Sequence, residues 1–84
     1  MAWSWFNVYD LKEMEKKDIP QKEIEVDLED IGIQKILIYK ANYYGVIFKG
    51  VVLTPKLNGR NGFQKDGVSA YIDESKNLWV GYEN

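Results

Sequence analysis

Cysteine and histidine are both absent from this 84-residue chain, and proline occurs only at Pro20 and Pro55. Without cysteine there is neither a disulfide framework nor a thiolate metal site. Without histidine or cysteine there is no imidazole general base and no thiol nucleophile. Ser4, Ser69 and Ser75 stand in no nucleophile elbow and no Ser-Lys motif. Carboxylate-only chemistry needs two carboxyl groups held in a concave site, and a chain this short has little core in which to hollow one out. A non-catalytic protein is therefore expected. Long hydrophobic runs are missing too. Ile36–Tyr39 and Gly45–Phe48 fall far short of the ~20 residues of a membrane-spanning helix. The opening Met1–Phe6 has no basic leader region, so a cytoplasmic location without membrane attachment is expected.

What is present is a dense supply of core. Apolar residues make up 45% of the chain and aromatic residues 14%, which excludes disorder by composition and suits a single domain over residues 1–84. The net charge of −2 conceals a segregation along the chain. Residues 1–30 carry −5, residues 31–65 carry +6 with no acid at all, and residues 66–84 carry −3. Such blocks arise from two opposed faces or from strands that neutralise one another across a sheet.

The cleanest local pattern is Glu23–Glu29, where Ile24, Val26 and Leu28 alternate strictly with Glu23, Glu25, Asp27 and Glu29. Period-two alternation predicts a strand with one buried and one acidic face. Ahead of it, Trp3–Val8 reads as a short strand. Asp10 then reads as the N-cap of one or two helical turns that bury Leu11 and Met14 and stop before Pro20. A second clear strand is predicted over Gln34–Tyr39 and a third over Val46–Leu53, with Gly50 marking a bulge or bend. Residues 54–67 form the longest connection, rich in the turn dipeptides Asn58-Gly59, Asn61-Gly62 and Asp66-Gly67. The chain closes with a hairpin of Val68–Ile72 and Leu78–Tyr82. The expected fold is α+β and β-rich: a small antiparallel sheet or partly open barrel of about five strands with one short N-terminal helix.

Asn58–Gly62 with Arg60 could cradle an anion but matches no phosphate-binding fingerprint, and ordinary turns explain it better. Asp66, Asp73, Glu74 and Glu83 show no metal-loop spacing, so neither metal nor cofactor is expected. Two constellations remain. Glu23, Glu25, Asp27 and Glu29 place carboxylates ~6.5–7 Å apart along one face, a spacing set by the strand rise. Neighbouring lysines (Lys35, Lys40, Lys49) could neutralise them in cross-strand pairs, or charge could simply guard an edge. As a docking face, the row suits a basic partner such as a nucleic-acid-processing enzyme or toxin, with Tyr43 and Tyr44 as exposed anchors. The middle segment offers the opposite chemistry. Lys49, Lys56, Arg60 and Lys65 with Phe63 are the vocabulary of single-strand nucleic-acid binding on a small barrel, although a pI near 5.0 opposes it.

In size, acidity, aromatic richness and lack of catalytic groups, the chain resembles small bacterial or phage-encoded inhibitor and immunity proteins as a class. That resemblance implies a protein-binding module covering the active surface of a target enzyme or toxin. Nucleic-acid binding and homodimerisation through an edge strand are the alternatives.

Overall fold

The computed structural model describes residues 2–59 and 64–84, and all that follows refers to these. They form nine strands and one α-helix: β1 (Trp3–Asp10), α1 (Leu11–Lys16), β2 (Gln21–Leu28), β3 (Gly32–Lys40), β4 (Tyr44–Phe48), β5 (Val51–Leu53), β6 (Lys56–Leu57), β7 (Gln64–Lys65), β8 (Val68–Ile72) and β9 (Asn77–Glu83). The strands do not close into a barrel. They divide into a four-stranded antiparallel meander, β2-β3-β4-β5, and a five-stranded sheet ordered β1-β9-β8-β6 with β7 also on β8. The β6–β8 pair is parallel; the other pairings are antiparallel. The expectation of about five strands is thus corrected upward. Two of the additional strands, β6 and β7, are two-residue pieces inside the long connection over residues 54–67.

Gly50 also requires a correction. It does not bulge one strand but ends a two-residue turn between β4 and β5, where Phe48 pairs with Val51. Lys49 (φ 53°) and Gly50 (φ 76°) both take positive φ, the geometry of a tight hairpin whose twist matches its strands. Asp66 (φ 54°) and Gly67 (φ 78°) repeat the device between β7 and β8.

The helix forms where its caps dictate. Asp10 accepts from the Lys12 N–H at 3.0 Å and so satisfies an amide that the first turn leaves open. At the far end Asp18 takes φ 51°, the Ile19 N–H reaches the Met14 carbonyl at 2.9 Å, and the Asp18 N–H reaches Glu15 at 3.4 Å. This is a Schellman stop, here with aspartate instead of glycine in the left-handed position. Ile19 packs on the core and Pro20 prevents continuation. Leu11 and Met14, three residues apart, are the two buried side chains of α1.

The two sheets share one core. Ile36, Ile38, Val46, Phe48 and Leu53 come from the meander; Val68, Ala70, Ile72, Leu78, Val80 and Tyr82 come from the other sheet. Alternation then fixes what the outer faces carry. On the meander these are Glu23, Glu25 and Asp27 with Lys35, Leu37 and Ile47. On the other sheet they are Trp3, Trp5, Tyr71 and Trp79. There the rings form a continuous series. Trp3 stacks on Trp5 at 5.9 Å, Trp5 meets Tyr71 edge-on at 5.1 Å, and Tyr71 stacks on Trp79 at 5.9 Å. The shared core buries Val68, Ala70 and Ile72 from one side and this aromatic roof covers the other, so every residue of β8 is buried, Ser69 and Tyr71 included.

The turn joining β8 to β9 is organised by one carboxylate. Asp73 Oδ1 accepts from the backbone N–H groups of Ser75 and Asn77, each at 2.9 Å. Its Oδ2 accepts from Trp79 Nε1 at 3.0 Å and Asn77 Nδ2 at 3.3 Å. These donors hold the carboxyl below the usual aspartate range, the Trp79 indole contributing most. A lowered native pKa stabilises the fold above the unfolded aspartate value, and that contribution disappears as pH falls through the lowered one. Asp73→Ala should therefore unfold at lower temperature at neutral pH and lose part of the wild-type acid dependence below about pH 4. Thermal melts at neutral and acidic pH test this; parallel acid profiles for both proteins would remove Asp73 from the acid response.

Candidate functional site

The sheet register sets the acidic residues in a line. Glu23, Glu25 and Asp27 lie opposite Leu37, Lys35 and Ile33 of β3, and all three carboxylates are exposed. Glu29 lies just past the end of β2, in the turn to β3. Lys35 stands directly across from Glu25, yet among the described residues none of the four carboxylates has a cation within 4.0 Å. The other two lysines are engaged elsewhere. The Lys40 ammonium sits 6.0 Å from the Tyr44 ring centre, and that of Lys49 sits 5.6 Å from the Tyr82 ring centre. The row's negative charge is therefore left facing solvent.

The next positions on the same face are apolar. Leu37 pairs with Ile47, and Ile47 pairs with Val52, so a strip runs beside the carboxylates from β3 to the outer edge of β5. Val52 is 50% exposed and Ile33, opposite Asp27, is 67% exposed. Sequence reasoning picked out the acidic row but missed this strip. Its signal was Gln34–Tyr39 and Val46–Leu53 being apolar on both faces, which reads equally well as a central strand covered on both sides. Here Leu37 and Ile47 are half-buried and Val52 is exposed, so the outer side is only partly covered.

At one end of the face Tyr39 lies across Gly45, its cross-strand partner, where a side chain would collide with the ring. Tyr43 follows at the tip of the β3–β4 turn, 75% exposed. It lines three hollows, one shared with Tyr39 and Thr54, one with Pro55, Lys56 and Leu57, and one with Lys40, Ile72 and Lys76. Tyr44 behaves differently. It is half-buried, and its hydroxyl donates to Glu15 of α1 at 2.8 Å. Burial, then the Glu15 bond and charge, push its pKa up to about 12. The two adjacent tyrosines thus separate into an exposed ring and a strut between β4 and the helix.

The basic residues of the middle segment do not gather in one place. Lys49 lies in the β4–β5 turn beside Tyr82. Lys65 lies opposite Val68 and Lys56 opposite Tyr71, towards the two ends of β8. Arg60 and Phe63 lie outside the described residues. Among the described residues no group of three acidic side chains is placed to hold a metal ion, and no helix is long and apolar enough to cross a membrane. Comparison with protein-family models, with curated proteins and with solved structures finds no match to this chain.

Proposed function

We propose that the chain is a small protein-binding module of the inhibitor or immunity type, docking a basic protein through the outer face of the β2–β5 meander. The observation that carries this reading is the juxtaposition on one face of a carboxylate row without ion-pair partners and a part-exposed apolar strip. Leu37, Ile47 and Val52 supply surface that gains by leaving water, and Tyr43 is a large ring at the end of that surface. Glu23, Glu25 and Asp27 supply the field that steers a positive partner and fixes its orientation. An enzyme or toxin with a positive substrate groove has the complementary chemistry, and covering that groove would inhibit it.

The test begins with capture from lysate of the source cell, with and without nuclease, using the wild type and a Glu25→Lys/Asp27→Lys variant side by side. Both substituted positions are exposed, so the fold should be retained. A basic protein that survives nuclease, binds the wild type and is lost from the variant is the expected result. With that partner purified, association at low salt should slow by about tenfold or more in the variant, and its rate should depend less on ionic strength. Equal association rates for the two proteins would exclude the acidic row. Capture that collapses on nuclease treatment would transfer the function to Lys49, Lys56 and Lys65.

A further inference from the structure

Among the described residues five strands make up the four borders of the two sheets, β6 and β7 sharing one, and three of the borders are guarded. β2 carries four charged side chains from Lys22 to Asp27, β5 is three residues long, and β6 and β7 are two residues each. Charge and brevity are the usual defences of a sheet edge against pairing with another chain. β1 has neither. It pairs with β9 alone, and from Trp3 to Tyr9 it carries no charge. Its outer-face indoles, Trp3 and Trp5, are only half-buried, and on the core side Phe6 and Val8 reach the margin of the core without being enclosed.

We infer that β1 is the site of self-association, two copies of this chain pairing antiparallel along their β1 edges to join their five-stranded sheets. This goes beyond the proposed docking face, which lies on the other sheet. The choice of a second copy as occupant follows from charge. A two-fold pairing sets a strand against itself, so like charges face each other wherever the strand has any. β2 would bring carboxylates against carboxylates; β1 brings only uncharged residues together over Trp3–Tyr9. The same pairing would bring the Trp3 and Trp5 rings of both copies onto one extended aromatic face. The register shift between Asn7 and Tyr9 bends the strand there, so the flat stretch available for pairing is Trp3–Asn7. Five residues a side give a small interface, and the dimer should be a weak one.

The test is sedimentation of the full chain from about 1 µM to about 1 mM, a range that brackets weak association. The wild type should move from monomer towards twice the monomer mass. Asn7→Lys adds a charge at an exposed position of β1, and should weaken the dimer about tenfold or more while leaving the circular dichroism spectrum of the monomer unchanged. Hydrogen exchange on the wild type gives a reading that needs no variant: amides of residues 3–7 should become protected at high concentration. A monomer at every concentration would overturn the inference. So would a dimer that is indifferent to Asn7→Lys and leaves those amides unprotected.

Discussion

Phe48→Ala should cost this domain about 3–5 kcal/mol, the usual range for emptying a fully buried phenyl site. The ring is completely buried at the end of β4, and its backbone pairs with Ile36 on one side and Val51 on the other. It belongs to the core shared by both sheets, so its removal loosens the contact between layers as well as the meander. A domain of this length has roughly 4–13 kcal/mol in total, taking about 0.05–0.15 kcal/mol per residue. The loss therefore consumes a large part of the stability. Urea unfolding followed by circular dichroism should show the midpoint falling with little change in slope. A loss below about 1 kcal/mol would mean that the surrounding side chains collapse into the space, and that the two layers do not depend on this ring.

Gly81→Val should be the most damaging change on the aromatic side of the molecule. Gly81 lies opposite Trp5, and the indole rests on it so closely that an added Cβ would stand 2.6 Å from Trp5 Cε3 and 2.8 Å from Cδ2. The indole must lift, which separates it from Tyr71 and disturbs the stack with Trp3. Overfilling of this kind costs about 1–3 kcal/mol. Ser69 on the same face and the Tyr71 ring within the roof, both buried, should become accessible to water. Tryptophan emission should shift to the red while far-ultraviolet circular dichroism remains that of a β-protein. If emission is unchanged, the roof tolerates the added side chain, and the glycine serves some other purpose. Gly45, beneath Tyr39, makes a parallel case on the other sheet. In both places an aromatic ring covers a strand glycine that has no side chain of its own to pack.

Several elements were legible from the chain because their causes are local. Asp10, Leu11, Met14 and Pro20 fall within a short span, and together they set where α1 starts, which face it buries and where it stops. The alternation of β2 is likewise a property of eight consecutive residues. The limits of β8, Val68–Ile72, follow from the sequence because a turn cluster comes after it and Gly67 before it. Gly50 is ambiguous for an equally local reason. A glycine within an apolar run marks a bulge or a turn with the same composition, and only the pairing of Phe48 with Val51 distinguishes them. Residues 54–67 read as one loop because two-residue strands are too short to show any period.

The candidate site divides along the same line. Its carboxylates could be named in advance, since period two puts Glu23, Glu25 and Asp27 on one face wherever β2 lies. Whether lysines neutralise them depends on which strand lies beside β2 and in what register. The answer, Lys35 opposite Glu25 with no ion pair within 4.0 Å, is not encoded in any short stretch. The apolar strip beside them is a feature of assembly too, because Leu37, Ile47 and Val52 become neighbours only when three strands align.

By itself, then, the sequence determined a cysteine-free, strand-rich chain without histidine chemistry, with its short helix, its turns and the inward and outward sides of its clearest strands. Those follow from composition, capping and periodicity, which act over a few residues. The tertiary structure decided that there are two sheets and no barrel, that Trp5 covers Gly81, that Tyr44 turns to Glu15 while Tyr43 faces water, and that β1 and β2 are edges. These depend on contacts between residues far apart in the chain, as far as the 80 positions between Ser4 and Asn84. Alternation tells a strand which side to bury, but only the free energy of the assembled core selects its partner.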